Sequence, residues 1–420
     1  MTIPIQVILG EYFDSKVKLI ILSNKNYSNV NLYKNGKIIK NITIKAFQIN
    51  NYELDDIQLG NYYLLELEYL NKIIDTFVIN LKSNPFDDVL IINCDSGYGF
   101  ETGTWDLIEN TNTKYAFHLG DQIYNDKIFL KYFNILKNKK IEDITQKDKQ
   151  LVWKETYNYF LEQFTRNNKT NVLKNNFNIM IPDDHEIIDN SFIDRIKKEQ
   201  IVYYNLIYKI IKKISNSIEL ELKFNREDIS YIEDKLNSTL YVINYSLNFN
   251  EEFFNKFNYK NKIENYKNII FLQRKICNSI KNKLLVQYIY KESKYDMISI
   301  DFILDLGIKH RNKKFYILCG DDHIKSTGEY YLNGKKILTI KSVGAINSVI
   351  DLFNYEIILN TKIKNITMKT EKQLENGFIK IFYKNENITV KDIINHKSYF
   401  YHVQNSIFTA GKFISFGFQK

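Results

Sequence analysis

The chain has 420 residues, 44% of them apolar and 15% aromatic, which excludes a disordered chain and supplies enough core for two or three domains. Its formal charge of +9 is spread through Asn/Lys-rich stretches such as ILKNKKIEDITQKDK, which argues against a dedicated nucleic-acid surface and leaves a basic background that attracts phosphate groups. Three cysteines, Cys94, Cys277 and Cys319, make no disulfide framework, and no run reaches the length of a bilayer span. The opening MTIPIQVILGEYF lacks a charged start, a long apolar stretch and a small-residue cleavage site, so an intracellular, reducing compartment is expected. The excess of Asn, Lys, Ile and Tyr is what A/T-rich codons supply; an A/T-rich microbe fits, as does a large DNA virus, with the virion or host cytoplasm as the compartment.

Residues 1–84 read as short strands: IPIQVIL, KVKLIIL, VNLYKNGKIIKNITI, YYLLELEYL and IIDTFVINL. Asn35-Gly36 between two of them is a type I′ hairpin signal, and six or seven strands in this length predict a small β-sandwich. The pattern changes at KSNPFDD, which holds Pro85, and the domain boundary is expected there. From Val89 the order is strand, short helix, strand (VLIIN, TGTWDLIENT, YAFHL), a βαβ unit with a parallel strand pair. Residues 127–175 have helical spacing, with Val152, Tyr159, Phe160 and Phe164 on it, and FNIMI returns as a strand. Residues 191–290 read mostly as amphipathic helix, interrupted by a stretch that could carry a hairpin, NREDISYIEDKLNSTLYVINYSLNFN. After FYILC the chain is β again, with a second hairpin signal at Asn333-Gly334.

Four of these apolar runs stop in the same way. VLIIN ends at Cys94 and Asp95, YAFHL at Gly120 and Asp121, FNIMI at Asp183, Asp184, His185 and Glu186, and FYILC at Gly320, Asp321, Asp322 and His323. Acidic, thiol and imidazole groups resist burial unless paired or bound to a cation, and an open sheet carries its site beyond the carboxyl ends of its strands. A metal site at that edge is therefore expected.

Each motif also has an ordinary reading. Asp121 after a Gly could be a turn or helix-cap residue, and Tyr124 could be one core tyrosine among 31. Asp184 can ligate a metal while His185 protonates a leaving oxygen; the plain reading makes this segment a solvated helix start. Asp321 and His323, two apart, share a side if the strand continues and suit oxygen and nitrogen ligation. Cys94 lies at the converging edge, so either its thiolate or the carboxylate of Asp95 could complete the site, whereas Cys277 and Cys319 read as buried small apolar residues.

In this order the motifs resemble the metallophosphoesterase superfamily, which includes the calcineurin-like and purple acid phosphatase-like enzymes, and within it the PhoD-like alkaline phosphatase and phosphodiesterase family. Cys94 in the first motif, DDHE at 183–186 and GDxH at 320–323 are PhoD-like, and HLGDQIY is similar to both the PhoD-like and the purple acid phosphatase form. The resemblance implies an α/β fold: an N-terminal β-sandwich (1–84), Ig- or fibronectin-like, then a metallophosphoesterase domain (85–420) of two mixed sheets flanked by helices, with a helical insertion at about 191–290. It implies iron held by Cys94, Asp121, Tyr124 and His323, calcium held by Asp121, Asp184 and Asp321, and His185 as general acid. Manganese, zinc or magnesium are the alternative metals. The chain departs from the superfamily in having no histidine between His185 and His310, where an intermediate ligand is expected.

The implied activity is hydrolysis of a phosphoester, monoester or diester, by a two-metal-activated hydroxide in line at phosphorus. A cysteine-nucleophile phosphatase needs an arginine where Phe100 stands, an aspartyl-phosphate enzyme needs a second Asp where Gly97 stands, and no P-loop occurs. The rival readings are a catalytically inactive binding or scaffold descendant of the fold and a nucleic-acid phosphodiesterase, with nucleic acid entering as substrate.

Overall fold

The computed structural model describes residues 5–96, 103–166, 168–225, 229–245, 259–273, 300–320, 325–345, 363–373, 377–384 and 387–395. The first strand signals become β1 (Ile5–Phe13), β2 (Lys16–Ser23), β3 (Tyr27–Lys34), β4 (Lys37–Ile44), β5 (Asn50–Leu54), β6 (Tyr62–Tyr69) and β7 (Lys72–Asn80). They form two antiparallel sheets, β1-β2-β5 and β4-β3-β6-β7. Asn35 and Gly36 take φ of 51° and 74°, the two left-handed residues that a type I′ turn between β3 and β4 requires.

Past Pro85 the chain makes the expected βαβ unit: β8 (Asp88–Ile92), α1 (Thr104–Glu109) and β9 (Tyr115–His118), with the strands parallel. Three helices follow, α2 (Asp126–Leu136), α3 (Gln146–Phe164) and α4 (Lys169–Asn175), and then β10 (Phe177–Met180), parallel to β9. α3 begins at a capping box in which Thr145 and Asp148 each accept from the other's backbone N–H, and it buries Val152, Tyr157, Phe160 and Phe164 along one stripe.

The next region is helical only in part, and the stretch expected to carry a hairpin does form one. The long helix α5 covers Ile201–Glu221, but three strands follow it, β11 (Ile229–Asp234), β12 (Thr239–Asn244) and β13 (Asn268–Gln273). They enter the seven-stranded sheet β11-β12-β13-β14-β16-β15-β17 beside β14 (Lys314–Cys319), β15 (Lys325–Leu332), β16 (Lys335–Ser342) and β17 (Ile366–Gln373). β12 and β13 are buried at every position, so they read as continuous apolar runs, whose periodicity does not separate a covered strand from a helix. The second hairpin forms as expected, with Asn333 and Gly334 at φ 50° and 78° between β15 and β16.

The four runs with reactive ends belong to two sheets and not to one. β8, β9 and β10 lie in the five-stranded sheet β10-β9-β8-β18-β19, and β14 lies in the seven-stranded sheet. The free side of β8 is taken by β18 (Gly377–Lys384), which runs antiparallel to it and pairs with β19 (Asn387–Ile394) on its other side. The sheets face each other through one apolar cluster containing Ile91, Phe117 and Ile179 from one and Tyr241, Ile270 and Leu318 from the other. Phe117 stacks on Tyr241 with centroids 5.3 Å apart. The same cluster takes in Val7, Leu19, Leu65 and Phe77 of the N-terminal sheets, and Tyr12 of β1 meets Phe177 of β10 at 5.6 Å. Each buried aliphatic or aromatic side chain contributes about 1.5–3 kcal/mol, so the N-terminal sheets are held to the rest by the term that holds each sheet itself. No described helix is long and apolar enough to cross a membrane.

Candidate metal centre

β8, β9 and β10 are parallel and in register, with Ile92 and Met180 both paired to His118, so the turns that follow them leave the sheet at one edge. Backbone bonds fasten these turns together: Cys94 N donates to Gly120 O (3.2 Å), and Asp95 N to Asp121 O (2.8 Å). Gly120 has φ 112°, and a Cβ there would stand 2.7 Å from the Cβ of Asp183, so the approach of the second and third turns requires glycine. Cys94 and Asp121 adopt left-handed φ of 47° and 53°, a conformation that costs each about 1–2 kcal/mol and that surrounding bonds must enforce.

Asp121, 1% exposed, is the hub. Its Oδ2 accepts from Tyr124 Oη at 3.2 Å and from Cys94 Sγ at 3.4 Å, and its Oδ1 accepts from the backbone N–H of His185 at 3.3 Å. One ligand atom from each of Asp121, Asp184 and His185 lies within 4.8 Å of the others, a donor set fit for a cation. Burial pushes the Asp121 carboxyl up to about 7; the His185 ring opposes this, and the charges of Asp184 and Glu186 add to it. The ring of Tyr124 stacks on that of His185 with centroids 4.2 Å apart.

His185 is oriented by a residue that the sequence reading did not include. Its Nδ1 lies 2.8 Å from Oδ2 of Asp126, whose Oδ1 accepts from Asp189 N at 2.9 Å. Burial would lower the imidazolium pKa, but Asp121, Asp126 and Asp184 outweigh it and carry it up to about 11. Asp126 is the first residue of α2, where an acidic residue reads as a helix-end charge, so nothing local marked its second use.

Glu186 is not part of a solvated helix start: it is 2% exposed, and its carboxylate receives Gln122 N at 2.5 Å and Asp183 N at 2.8 Å. It thereby clamps the second turn to the third. Burial and the neighbouring Glu219 raise its pKa to about 8, against the pull of those backbone bonds.

Asp95 has different company. Its Oδ1 accepts from Arg166 Nη2 at 2.7 Å, and its Oδ2 accepts from Lys169 Nζ at 2.8 Å and Trp105 Nε1 at 3.2 Å. The protein's own cations neutralise this carboxylate, whereas Cys94 beside it turns its thiol to Asp121. Asp321 and His323 lie outside the described residues. β14 ends next to the same edge: Cys319 O accepts from Val343 N (2.9 Å), and the following Gly344 O accepts from the Asn93 amide (3.4 Å). β13, alongside β14, ends in Gln273, so an amide and not an imidazole stands there.

No known protein family's sequence pattern matches this chain, and no curated protein matches it either. Solved structures do. The structure of PhoD superposes with a TM-score of 0.61 at 12% identity, over 92% of this chain and 88% of that one. The fold is that of PhoD. Purple acid phosphatase PPD1 from yellow lupin (Lupinus luteus) seeds superposes with a TM-score of 0.60 at 11% identity, over 93% of this chain and 72% of that one. At such identities the likeness is one of fold, and it accounts for the N-terminal antiparallel sheets as well as the two mixed sheets.

Proposed function

We propose that this chain is a metal-dependent phosphoester hydrolase, a phosphatase or phosphodiesterase of the PhoD-like kind. The observation that carries the reading is the convergence of the Asp121 and Asp184 carboxylates, with the His185 ring beside them as proton donor, at the strand-end edge of this fold. A buried carboxyl raised to about 7 among like charges fits a cation, because a cation removes the repulsion that raises it. Cys94 and Tyr124 both give their protons to one oxygen of Asp121, and a cation there would exchange those protons for two further donors.

Asp121 would serve both ions, Cys94, Tyr124 and His323 the first, and Asp184 and Asp321 the second. A thiolate and a phenolate suit iron, and carboxylates suit calcium, manganese or magnesium, with zinc a further occupant. Bound ions would neutralise charge on the phosphoryl oxygens and acidify a water for in-line attack. His185 holds its Nδ1 proton on Asp126, so its Nε2 proton is the one to pass to the leaving oxygen. Asp126 keeps the ring in that tautomer and supports its charge. Asp95 and Glu186 hold the turns and contact neither ion nor ester.

Hydrolysis of p-nitrophenyl phosphate and bis-p-nitrophenyl phosphate by the metal-loaded protein tests the reading and separates monoesterase from diesterase. Turnover of either ester that disappears in Asp121→Asn supports it. No turnover of either with iron, calcium, manganese, zinc or magnesium supplied contradicts it.

A further inference from the structure

Lys169 opens α4 and is 1% exposed. Its ammonium lies 5.4 Å from the ring centroid of Trp105 and 5.3 Å from that of Phe164. Burying an ammonium is unfavourable, and desolvation pulls its pKa down while Asp95 pulls it back. If this volume needed only filling, an apolar side chain of similar size would fill it without that penalty.

Its two acceptors show what an apolar side chain could not do. Nζ donates to Asp95 Oδ2 at 2.8 Å and to the backbone oxygen of Gln122 at 2.7 Å. Asp95 directly follows Cys94, and Gln122 directly follows Asp121. Each acceptor thus belongs to the peptide unit or side chain just after a left-handed residue that carries a candidate ligand. One ammonium therefore pins both strained turns from the same side. Arg166 holds the other oxygen of Asp95, so the anchor cannot swing away.

We propose that Lys169 is a positioning residue of the metal centre: by tying the Cys94–Asp95 turn to the Asp121–Gln122 turn it sets the thiol of Cys94 against the carboxylate of Asp121. The inference rests on the reading of that pair as metal ligands. Asp95 is in this account the anchor of the device.

The test is Co2+ titration of the wild type, K169M and K169R against a competing chelator, with the cobalt–thiolate charge-transfer band recorded and folding checked by circular dichroism. Removing a group that orients ligands weakens binding about 10–100-fold, and that is the loss expected for K169M, with a diminished thiolate band. K169R, which keeps the charge, is expected to recover most of both. A folded K169M with wild-type affinity and an unchanged band overturns the inference alone, since a merely space-filling lysine would give that result. Should K169M not fold, K169Q decides by the same two readings. A wild type that binds Co2+ without any thiolate band overturns the placement of Cys94 in the metal centre, and this inference with it.

Discussion

Asp95 and Asp121 each follow a parallel strand of the same sheet, at 3% and 1% exposure, and their turns share a backbone hydrogen bond from Asp95 N to Asp121 O. Asp95 is met by Lys169, Arg166 and Trp105. Asp121 is met by a thiol, a phenol, a backbone N–H, the His185 ring and two further carboxylates, and burial carries its pKa up to about 7. The chain thus surrounds one acid with its own cations and sets the other among further acids. Position at a strand end does not by itself make a ligand; the surrounding charge decides.

The comparison is broken most severely at Asp121. Asp121→Asn is expected to lower metal affinity by more than the roughly 100-fold typical of a supporting residue, and to abolish hydrolysis, as read by chelator competition and ester turnover. Next comes His185→Asn, expected to slow turnover about 10²–10⁴-fold, with a larger loss on an alkyl phosphate than on p-nitrophenyl phosphate, whose leaving group needs no proton. Asp126→Asn should follow the same leaving-group pattern more weakly, about 10–100-fold. Equal losses on both esters would remove the proton-donor role.

Acid should act on the two turns differently. A proton competes with a cation for Asp121, as for the thiol of Cys94 and the phenol of Tyr124, so metal affinity is expected to rise with pH and to fall by at least about tenfold per pH unit below about 7, measured by titration at several pH values. Asp95, already paired, should add no such dependence.

A separate effect, on stability and not on the site, concerns His118, in the strand that leads to Asp121. It is fully buried on Asn178, and desolvation lowers its pKa from 6.5 to about 4. The folded state therefore resists protonation that the unfolded chain accepts. The stability from this neutral imidazole is complete above pH 6.5 and is lost as pH falls toward 4, by about 3 kcal/mol at the lower end. His118→Gln should flatten that acid limb in denaturant melts.

Much of this was legible in the sequence because the signals were local. Asn35-Gly36 and Asn333-Gly334 fix hairpins by backbone chemistry alone, and the βαβ order fixed β8 and β9 as parallel neighbours. The stretch marked as a hairpin does pair as β11 and β12, whereas β13 was not legible, since both its faces are covered and no alternation survives. Asp184, His185 and Asp121, singled out from their place after apolar runs, come together in space. Asp126 and Lys169 were missed, and Glu186 was named only within its motif, because each meets a partner distant in sequence: Asp126 meets His185, Lys169 meets Asp95, and Glu186 meets Gln122. Cys94 and Asp95 are undivided in the sequence; in the structure Asp95 pairs with Lys169, Arg166 and Trp105, while the Cys94 thiol donates to Asp121.

The most direct measurement is the metal content of purified protein by elemental analysis after equilibrium dialysis against iron and calcium, compared between the wild type, Asp121→Asn and Asp95→Asn. Two ions per wild-type chain are expected, with their loss from Asp121→Asn and partial retention of iron in Asp95→Asn. A wild type that retains no metal, or an Asp121→Asn variant that retains as much as the wild type, would contradict this account.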